Sequence, residues 1–298
     1  MSITRRHILG SAGIAALGAA TFAGGPPSGT PAASNVPWAS TVTTPQDFGA
    51  VADGVADDTS AIQQAIDAQG TRDNKIVYFP PGTYRITQTL TVPDGTGPTG
   101  NFSRLVLAGA GTMGSRTSII QVDFDGTALH IAAPLSALYG LCFVVAAGLK
   151  NSLGVLTARD PGIGEATNTD DVDTTITECT FVEFYTAVKH VGRGMVFTNN
   201  LVATGDFGLD ISWPEEGVAG SGVHLLPYGM RKWLIEGNHF HSMGTAIRTT
   251  GPHAASFRGA IIANNILDIG RRLFAGGVIN STFAGNVVEN ASGDRWST

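Results

Sequence analysis

Across the second half of the chain a large apolar residue recurs, followed three positions later by a small or amide residue and five positions later by another apolar one. Five copies fit: Ile176, Cys179, Phe181; Phe197, Asn200, Val202; Ile235, Asn238, Phe240; Ile262, Asn265, Leu267; and Phe283, Asn286, Val288. Their first residues stand 21, 38, 27 and 21 positions apart, so a basic unit of about 21 residues carries two insertions. Leu138, Leu141 and Phe143 make a weaker sixth copy. A unit this short cannot enclose a core alone, and stacking on its neighbours is what a solenoid is. An Asn at the same turn of successive coils can hydrogen-bond to its counterparts, as stacked amides do in cross-β assemblies. Asn200, Asn238, Asn265 and Asn286 are therefore expected to be buried and structural.

A second apolar position falls in register twelve residues into the unit, at Val188, Leu209, Ile247 and Phe274. Side chains alternate along a strand, so the next residue points away from the core. Those residues are Lys189, Asp210, Arg248 and Ala275. Neighbouring strands lie about 4.8 Å apart, which predicts an exposed Lys-Asp-Arg column on consecutive coils, read either as an alternating salt-bridge ladder or as a functional face. Both insertions follow this strand, between Ser212 and Lys232 and between Thr250 and Gly259. Loops 213–230 and 251–258 would leave the coil at one edge and wall a groove beside the column, where a rigid scaffold holds loop residues for function.

Nearer the amino terminus, apolar residues at i, i+3 and i+4 within Asp57-Asp58-Thr59-Ser60-Ala61-Ile62-Gln63-Gln64-Ala65-Ile66 predict an amphipathic helix. Ser60 with Gln63 reads as a capping box, and Asp57 and Asp58 sit where the helix dipole favours negative charge. Asp47-Phe48-Gly49-Ala50-Val51-Ala52-Asp53-Gly54 precedes it, and Lys75-Ile76-Val77-Tyr78-Phe79-Pro80-Pro81-Gly82-Thr83-Tyr84-Arg85-Ile86 follows, two β-rich runs joined by a Pro-Pro-Gly turn. This ordered string, extended by Leu105 to Gly111, resembles the opening of the pectate-lyase-like β-helix proteins, a group that includes rhamnogalacturonase-like enzymes, mannuronan C5-epimerases and phage tailspikes. The resemblance implies an all-β fold, a single-stranded right-handed parallel β-helix with an amino-terminal capping α-helix that covers a sheet edge. It also implies that Asp47, Asp53, Asp57 and Asp58 are structural caps and turn formers.

Composition agrees with a turn-rich all-β chain: Gly occurs 39 times and charged residues make up only 14%. With 43% hydrophobic residues, 298 positions suffice for a sizeable core. The net charge is −6, and −8 once Arg5 and Arg6 leave with a cleaved leader, which disfavours a nucleic-acid partner. Thr4-Arg5-Arg6-His7-Ile8-Leu9, followed by a mildly apolar run to Ala23, looks like a twin-arginine export signal, with an ordinary secretory signal or an uncleaved anchor as the alternative. The expected organisation is an export signal at 1–33, a linker at 34–44 and the β-helix at 45–298, with a secreted, periplasmic or cell-surface destination and no membrane partner after cleavage. Cys142 and Cys179 lie in apolar stretches and read as buried free thiols.

The candidate chemistry sits on and beside the charged column. A polysaccharide lyase needs a base for the proton alpha to a uronate carboxylate and a cation to stabilise the charge that develops, roles open to Lys189 and Arg248 with help from Asp210 or a bound metal. A glycoside hydrolase needs two carboxylates, drawn from Asp206, Asp210 and Glu215. Trp213, Glu215, Glu216, His224 and Tyr228, in the first insertion, suit stacking on sugar rings and polarising hydroxyls. Asp160, Glu165, Asp170, Asp171 and Asp173 are dense enough to bind calcium but lack the glycine-spaced pattern of an EF-hand loop, which favours a solvated acidic loop over a calcium site. Polygalacturonase motifs are incomplete: Asn168-Thr169-Asp170 is present, but Phe184-Tyr185 stands where an Asp pair is expected, and Ile247-Arg248-Thr249 lacks the final Lys. The Asp-Pro-His-Glu motif of mannuronan epimerases is absent too.

Three functional classes follow: a lyase or hydrolase acting on a polysaccharide, a non-catalytic glycan-binding or surface β-helix, and an incomplete family member. The last arises because the chain stops soon after the coil begun by Phe283 with no evident cap, leaving an edge that a homotrimer or a further chain would cover.

Overall fold

One coil shows how the repeat folds. Met195–Thr198 forms a strand, Asn199 turns the chain with φ 54°, and the strand Leu201–Ser212 begins. That strand bends at Thr204, where φ is 59°. Residues 201–203 pair with Thr180–Val182, and residues 207–212 pair with Thr186–Val191. The chain returns to the first face at Trp233–Glu236, which lies parallel to Met195–Thr198. Each coil thus contributes to three parallel faces, giving the parallel β-helix expected from the repeat. The computed structural model describes residues 42–70, 75–94, 104–112, 114, 117–146, 149, 152–158, 174–191, 194–212, 233–250, 257–279 and 281–289.

Positive φ recurs at both corners of the coil. The first corner holds Glu178, Asn199, Gly237, Asn264 and Gly285, mostly residues that adopt this conformation at little cost. The second holds Glu183, Thr204, Ser242 and Ile269. Thr and Ile resist positive φ, so stacking of the coils imposes the bend there.

Register follows the repeat. On the first face Val77, Leu107, Leu138, Ile176, Phe197, Ile235, Ile262 and Phe283 form one column. On the second, Tyr84, Ile120, Phe143, Phe181, Val202, Phe240, Leu267 and Val288 form another. Val155, Val188, Leu209, Ile247 and Phe274 line the third. The weak copy at Leu138 is therefore a real coil, and the columns continue upstream of it. Strict register lets like side chains stack: the Phe143 and Phe181 rings lie 5.4 Å apart and 8° from parallel.

The Asn column is a hydrogen-bonded ladder, buried at Asn200, Asn238 and Asn265 and only partly buried at Asn286, which has no described coil beyond it. Nδ2 of Asn200 donates to Oδ1 of Asn238, Nδ2 of Asn238 to Oδ1 of Asn265, and Nδ2 of Asn265 to Oδ1 of Asn286, at 2.9–3.0 Å. The remaining amide hydrogens reach carbonyls of the first face, Ile176, Phe197 and Ile235 in turn. Cys142 and Cys179 are buried and unpaired, and burial pushes the Cys179 thiol up to about 12.

The helix Thr59–Asp67 buries Ala61, Ile62, Ala65 and Ile66 against the end of the coil. Its Gln63 closes the edge of the third face as a neighbouring strand would, with Nε2 donating to Thr91 O and Oε1 accepting the Thr91 N–H, both at 2.9 Å. Two details differ from the sequence reading. The residue before the helix is Asp58, and Ser60 lies inside it, so the Ser60–Gln63 capping box does not form. Gln63 is committed to Thr91, where an unpaired strand edge has more need of it. Asp58 instead turns its buried carboxylate back onto the N–H groups of Val51 and Ala52, at 2.7 and 3.1 Å. Asp47 and Asp53 accept backbone N–H bonds from Thr44, Val55 and Ala56, the turn-forming role expected of them. The second difference is at the linker: Val42–Thr43 already pairs with Ile76–Val77, so the first sheet begins inside 34–44. Among the described residues no helix is long and apolar enough to cross a membrane.

Candidate functional site

The third face carries the charged column in the register expected. Lys189 lies beside Asp210, Asp210 beside Arg248, and Arg248 beside Ala275 on four consecutive coils. Upstream the column continues through Leu156 and His130 to Thr91. The outward position holds because Leu209 and Ile211, on either side of Asp210, point into the core.

Exposure is where the expectation fails. Asp210 is buried, with only 5% of its side chain accessible. Two neighbours bind its oxygens, and an aromatic ring backs one of them. Nη2 of Arg248 donates to Oδ2 at 2.7 Å, the Thr250 hydroxyl donates to Oδ1 at 2.8 Å, and the Phe207 ring lies under the guanidinium, 3.3 Å from Cζ to ring centroid. Tyr185, itself exposed, meets Phe207 edge-on at 5.5 Å. A column of extended charges becomes a folded-over arrangement, because an arginine that pairs with its strand neighbour can also rest on an aromatic face. The Arg248 Nε is shut off from solvent and finds no acceptor among the described residues.

Asp206 sits on the same strand, four residues before Asp210, and is exposed. Four residues of strand span roughly 13 Å, and a hydrolytic pair needs its carboxyl groups about 5–9.5 Å apart. Both Asp210 oxygens are also engaged by Arg248 and Thr250, which argues against Asp210 as half of such a pair. Trp213, Glu215, Glu216, His224 and Tyr228 lie outside the described residues, as does the acidic stretch Asp160 to Asp173. The same holds for residues 213–232 and 251–256, so the walls expected of the groove are not described. At the end of the second insertion, Phe257–Arg258 pairs with Val278–Ile279 as a short sheet of its own.

Behind the column, His190 turns inward and is completely buried. Its Nδ1 shares a 2.5 Å hydrogen bond with the Thr157 hydroxyl one coil below, and its ring stands edge-on to Trp233 at 5.1 Å. Burial pushes its pKa down to about 3, so the ring is neutral at ordinary pH. Sequence reasoning passed over Phe207, Tyr185 and Thr250. Their signal was proximity in the repeat: Phe207 begins the stretch that carries Asp210, and Thr250 follows Arg248 by the two positions that keep a residue on one side of a strand.

A family model matches most of this chain, and curated relatives match a quarter to a third of it. The model of the family described as rhamnogalacturonase A/epimerase, pectate lyase-like, matches residues 42–268. A glucan 1,3-beta-glucosidase of Cochliobolus carbonum is 36% identical over 81 residues, 26% of this chain and 10% of its own length. Mannuronan C5-epimerase AlgE6 of Azotobacter vinelandii is 40% identical over 95 residues, 32% of this chain and 10% of its own length. The matches thus span about one tenth of these two relatives. Among solved structures, the pre-mature bacteriophage phi29 gene product 12 is similar in fold, with a TM-score of 0.55 and 13% identity, covering 84% of this chain and 33% of its own.

Proposed function

The chain belongs to the rhamnogalacturonase A/epimerase, pectate lyase-like family, and on that premise we propose that it acts on a uronate-bearing polysaccharide, as a lyase, at the third face around Lys189 and Arg248. The observation that carries this reading is the column itself: two basic residues on alternate coils with a single carboxylate between them, already ion-paired to Arg248 and hydrogen-bonded by Thr250. Such a face has positive charge left to pair with the carboxylates of an acidic sugar chain. The named relatives, a glucan glucosidase and a mannuronan epimerase, favour a polysaccharide as the ligand.

A lyase removes the proton alpha to a uronate carboxylate and expels the glycosidic oxygen at the neighbouring carbon. Arg248, braced by Asp210 and Phe207, is suited to hold the substrate carboxylate while negative charge builds next to it. Lys189, one coil from Asp210 and two from Arg248, is in place to take the proton in its uncharged form, which leaves Arg248 as the cation that faces the substrate carboxylate. Hydrolysis is the weaker reading, because Asp210 has no oxygen free to donate a proton. The non-catalytic alternative uses the same cations for binding alone.

Purified protein incubated with acidic and neutral polysaccharides separates these readings. New ultraviolet absorbance from unsaturated uronates supports the lyase. Reducing ends without that absorbance identify a hydrolase, and salt-sensitive binding with neither product identifies a binding module. We also propose export through Arg5-Arg6, in a segment outside the described residues.

A further inference from the structure

We propose that His239, His241 and Asp268 form a binding site for a late first-row divalent cation, Zn2+ foremost, on the second face of the coil. The site does not depend on the carbohydrate reading. It lies on the other side of the Ser242 bend from Arg248, on the same long strand His239–Thr250.

The repeat brings these residues together. His239 and His241 flank Phe240, which is completely buried, so alternation sends both imidazoles outward on one face. Asp268 is the strand neighbour of His241 on the next coil, and Ile266 is the neighbour of His239. One donor atom from each of the three side chains lies within 4.8 Å of the other two. On the preceding coil the positions beside His239 and His241 are Leu201 and Ala203, which bring no competing donor. On the following coil Glu289 stands in register beside Asp268 and is exposed, offering a further oxygen.

An ordinary ion pair explains only part of this. His241 Nδ1 lies 3.1 Å from Asp268 Oδ2, with the two side chains 41% and 28% accessible, a contact of small energetic value. It leaves out His239, whose Nε2 is shut off from solvent and has no hydrogen-bond partner among the described residues. An unpaired buried imidazole nitrogen is costly, and a cation shared with His241 and Asp268 would satisfy it. The two rings meet edge-on, 6.1 Å apart at 85°, which holds both imidazoles on the same patch of the face.

The donor set selects the metal. Two imidazoles and a carboxylate suit Zn2+ and its neighbours, whereas Ca2+ and Mg2+ prefer oxygen donors alone. Ligand atoms about 2.1 Å from one ion stand at most about 4.2 Å apart, so rotation of half-exposed side chains by a few tenths of an ångström closes the triangle. Three protein ligands leave a coordination position for water or Glu289. A bound ion would tie two consecutive coils together on the outward side of the face, in addition to the strand hydrogen bonds and the buried column at Phe240 and Leu267.

Full-length protein freed of metal by chelation and titrated with ZnCl2 tests this. One equivalent should bind and raise the melting temperature, and Co2+ should give the intense visible bands of a low-coordinate site. His239→Ala, His241→Ala and Asp268→Asn should each weaken Zn2+ binding about tenfold or more and remove the Co2+ bands, while the metal-free melting temperature stays close to that of the unaltered protein. Absence of Zn2+ binding overturns the proposal. So does unchanged affinity in the His239→Ala, His241→Ala double variant, which would place the ion elsewhere, and so does a preference for Ca2+ over Zn2+.

Discussion

Asn238 and Asn265 are joined twice: the side-chain Nδ2 and the backbone N–H of Asn238 both donate to Oδ1 of Asn265, at 2.9 and 3.1 Å. Asn238 in turn accepts the same two bonds from Asn200. Each amide therefore finishes the turn of the coil before it. Asn238→Leu keeps the volume and removes three of these four bonds, sparing only the backbone N–H of residue 238 to Asn265, and it leaves the Asn200 backbone N–H and the Phe197 carbonyl without their partner. A loss of about 1–3 kcal/mol in urea unfolding is expected. An unchanged midpoint would contradict the ladder.

Asp210→Asn should cost stability as well as function. The carboxylate is buried and charge-paired to Arg248, so neutralising it leaves a guanidinium desolvated on Phe207 with a weaker acceptor. A loss of about 1.5–3 kcal/mol fits a hydrogen bond to a charged group. Thermal or urea denaturation at neutral pH reads it, and a loss below the error of measurement would mean that the pair is open to water.

Lys189→Gln is the contrasting change. Lys189 is only half-buried at the surface of the column, and its replacement should shift stability by no more than about 0.5 kcal/mol. Under the lyase reading, product formation falls sharply while affinity for the acidic chain weakens modestly. Arg248→Lys keeps the charge but loses the planar contact with Phe207, so affinity should fall more than for Lys189→Gln. Equal, salt-independent binding by all three proteins would separate this face from the ligand.

His190 sets a pH dependence. Its folded pKa is held near 3 by burial against an ordinary 6.5, so below about 6.5 the unfolded chain takes up a proton that the folded one refuses. Stability from this residue is unaffected above pH 6.5 and declines as the pH falls toward 3. Comparing urea midpoints at pH 7.5 and 4.5 in wild type and His190→Leu checks the sign: the substitution should flatten the acid slope, even though loss of the Thr157 contact lowers stability at both values. A slope identical in both proteins would assign the acid sensitivity to other groups.

The proposed export rests on Arg5 and Arg6. Replacing both with Lys should hold the protein in the cytoplasm, measured by fractionation, whereas secretion at the unaltered level would point to a different route.

Sequence alone determined the register of this protein. In a β-solenoid each coil repeats the same inward positions, so Ile176, Phe197, Ile235, Ile262 and Phe283 declare their own alignment. Once they are aligned, the Asn ladder and the Lys189, Asp210, Arg248 column follow by counting. The same count places His241 and Asp268 at one position of two successive copies, so that pairing was legible too.

What counting along the chain leaves open is how far each outward side chain lies from water. Long side chains reach past their own strand, and their direction is set by neighbours that the repeat does not specify. The burial of Asp210 depended on Arg248 folding back over Phe207 and on Thr250 turning its hydroxyl inward. The fate of Gln63, drawn from its own helix to the open edge at Thr91, was decided in the same way. Backbone register is periodic and is written into hydrophobic spacing, whereas side-chain burial and polar pairing are settled by contacts between coils, which only the folded chain creates.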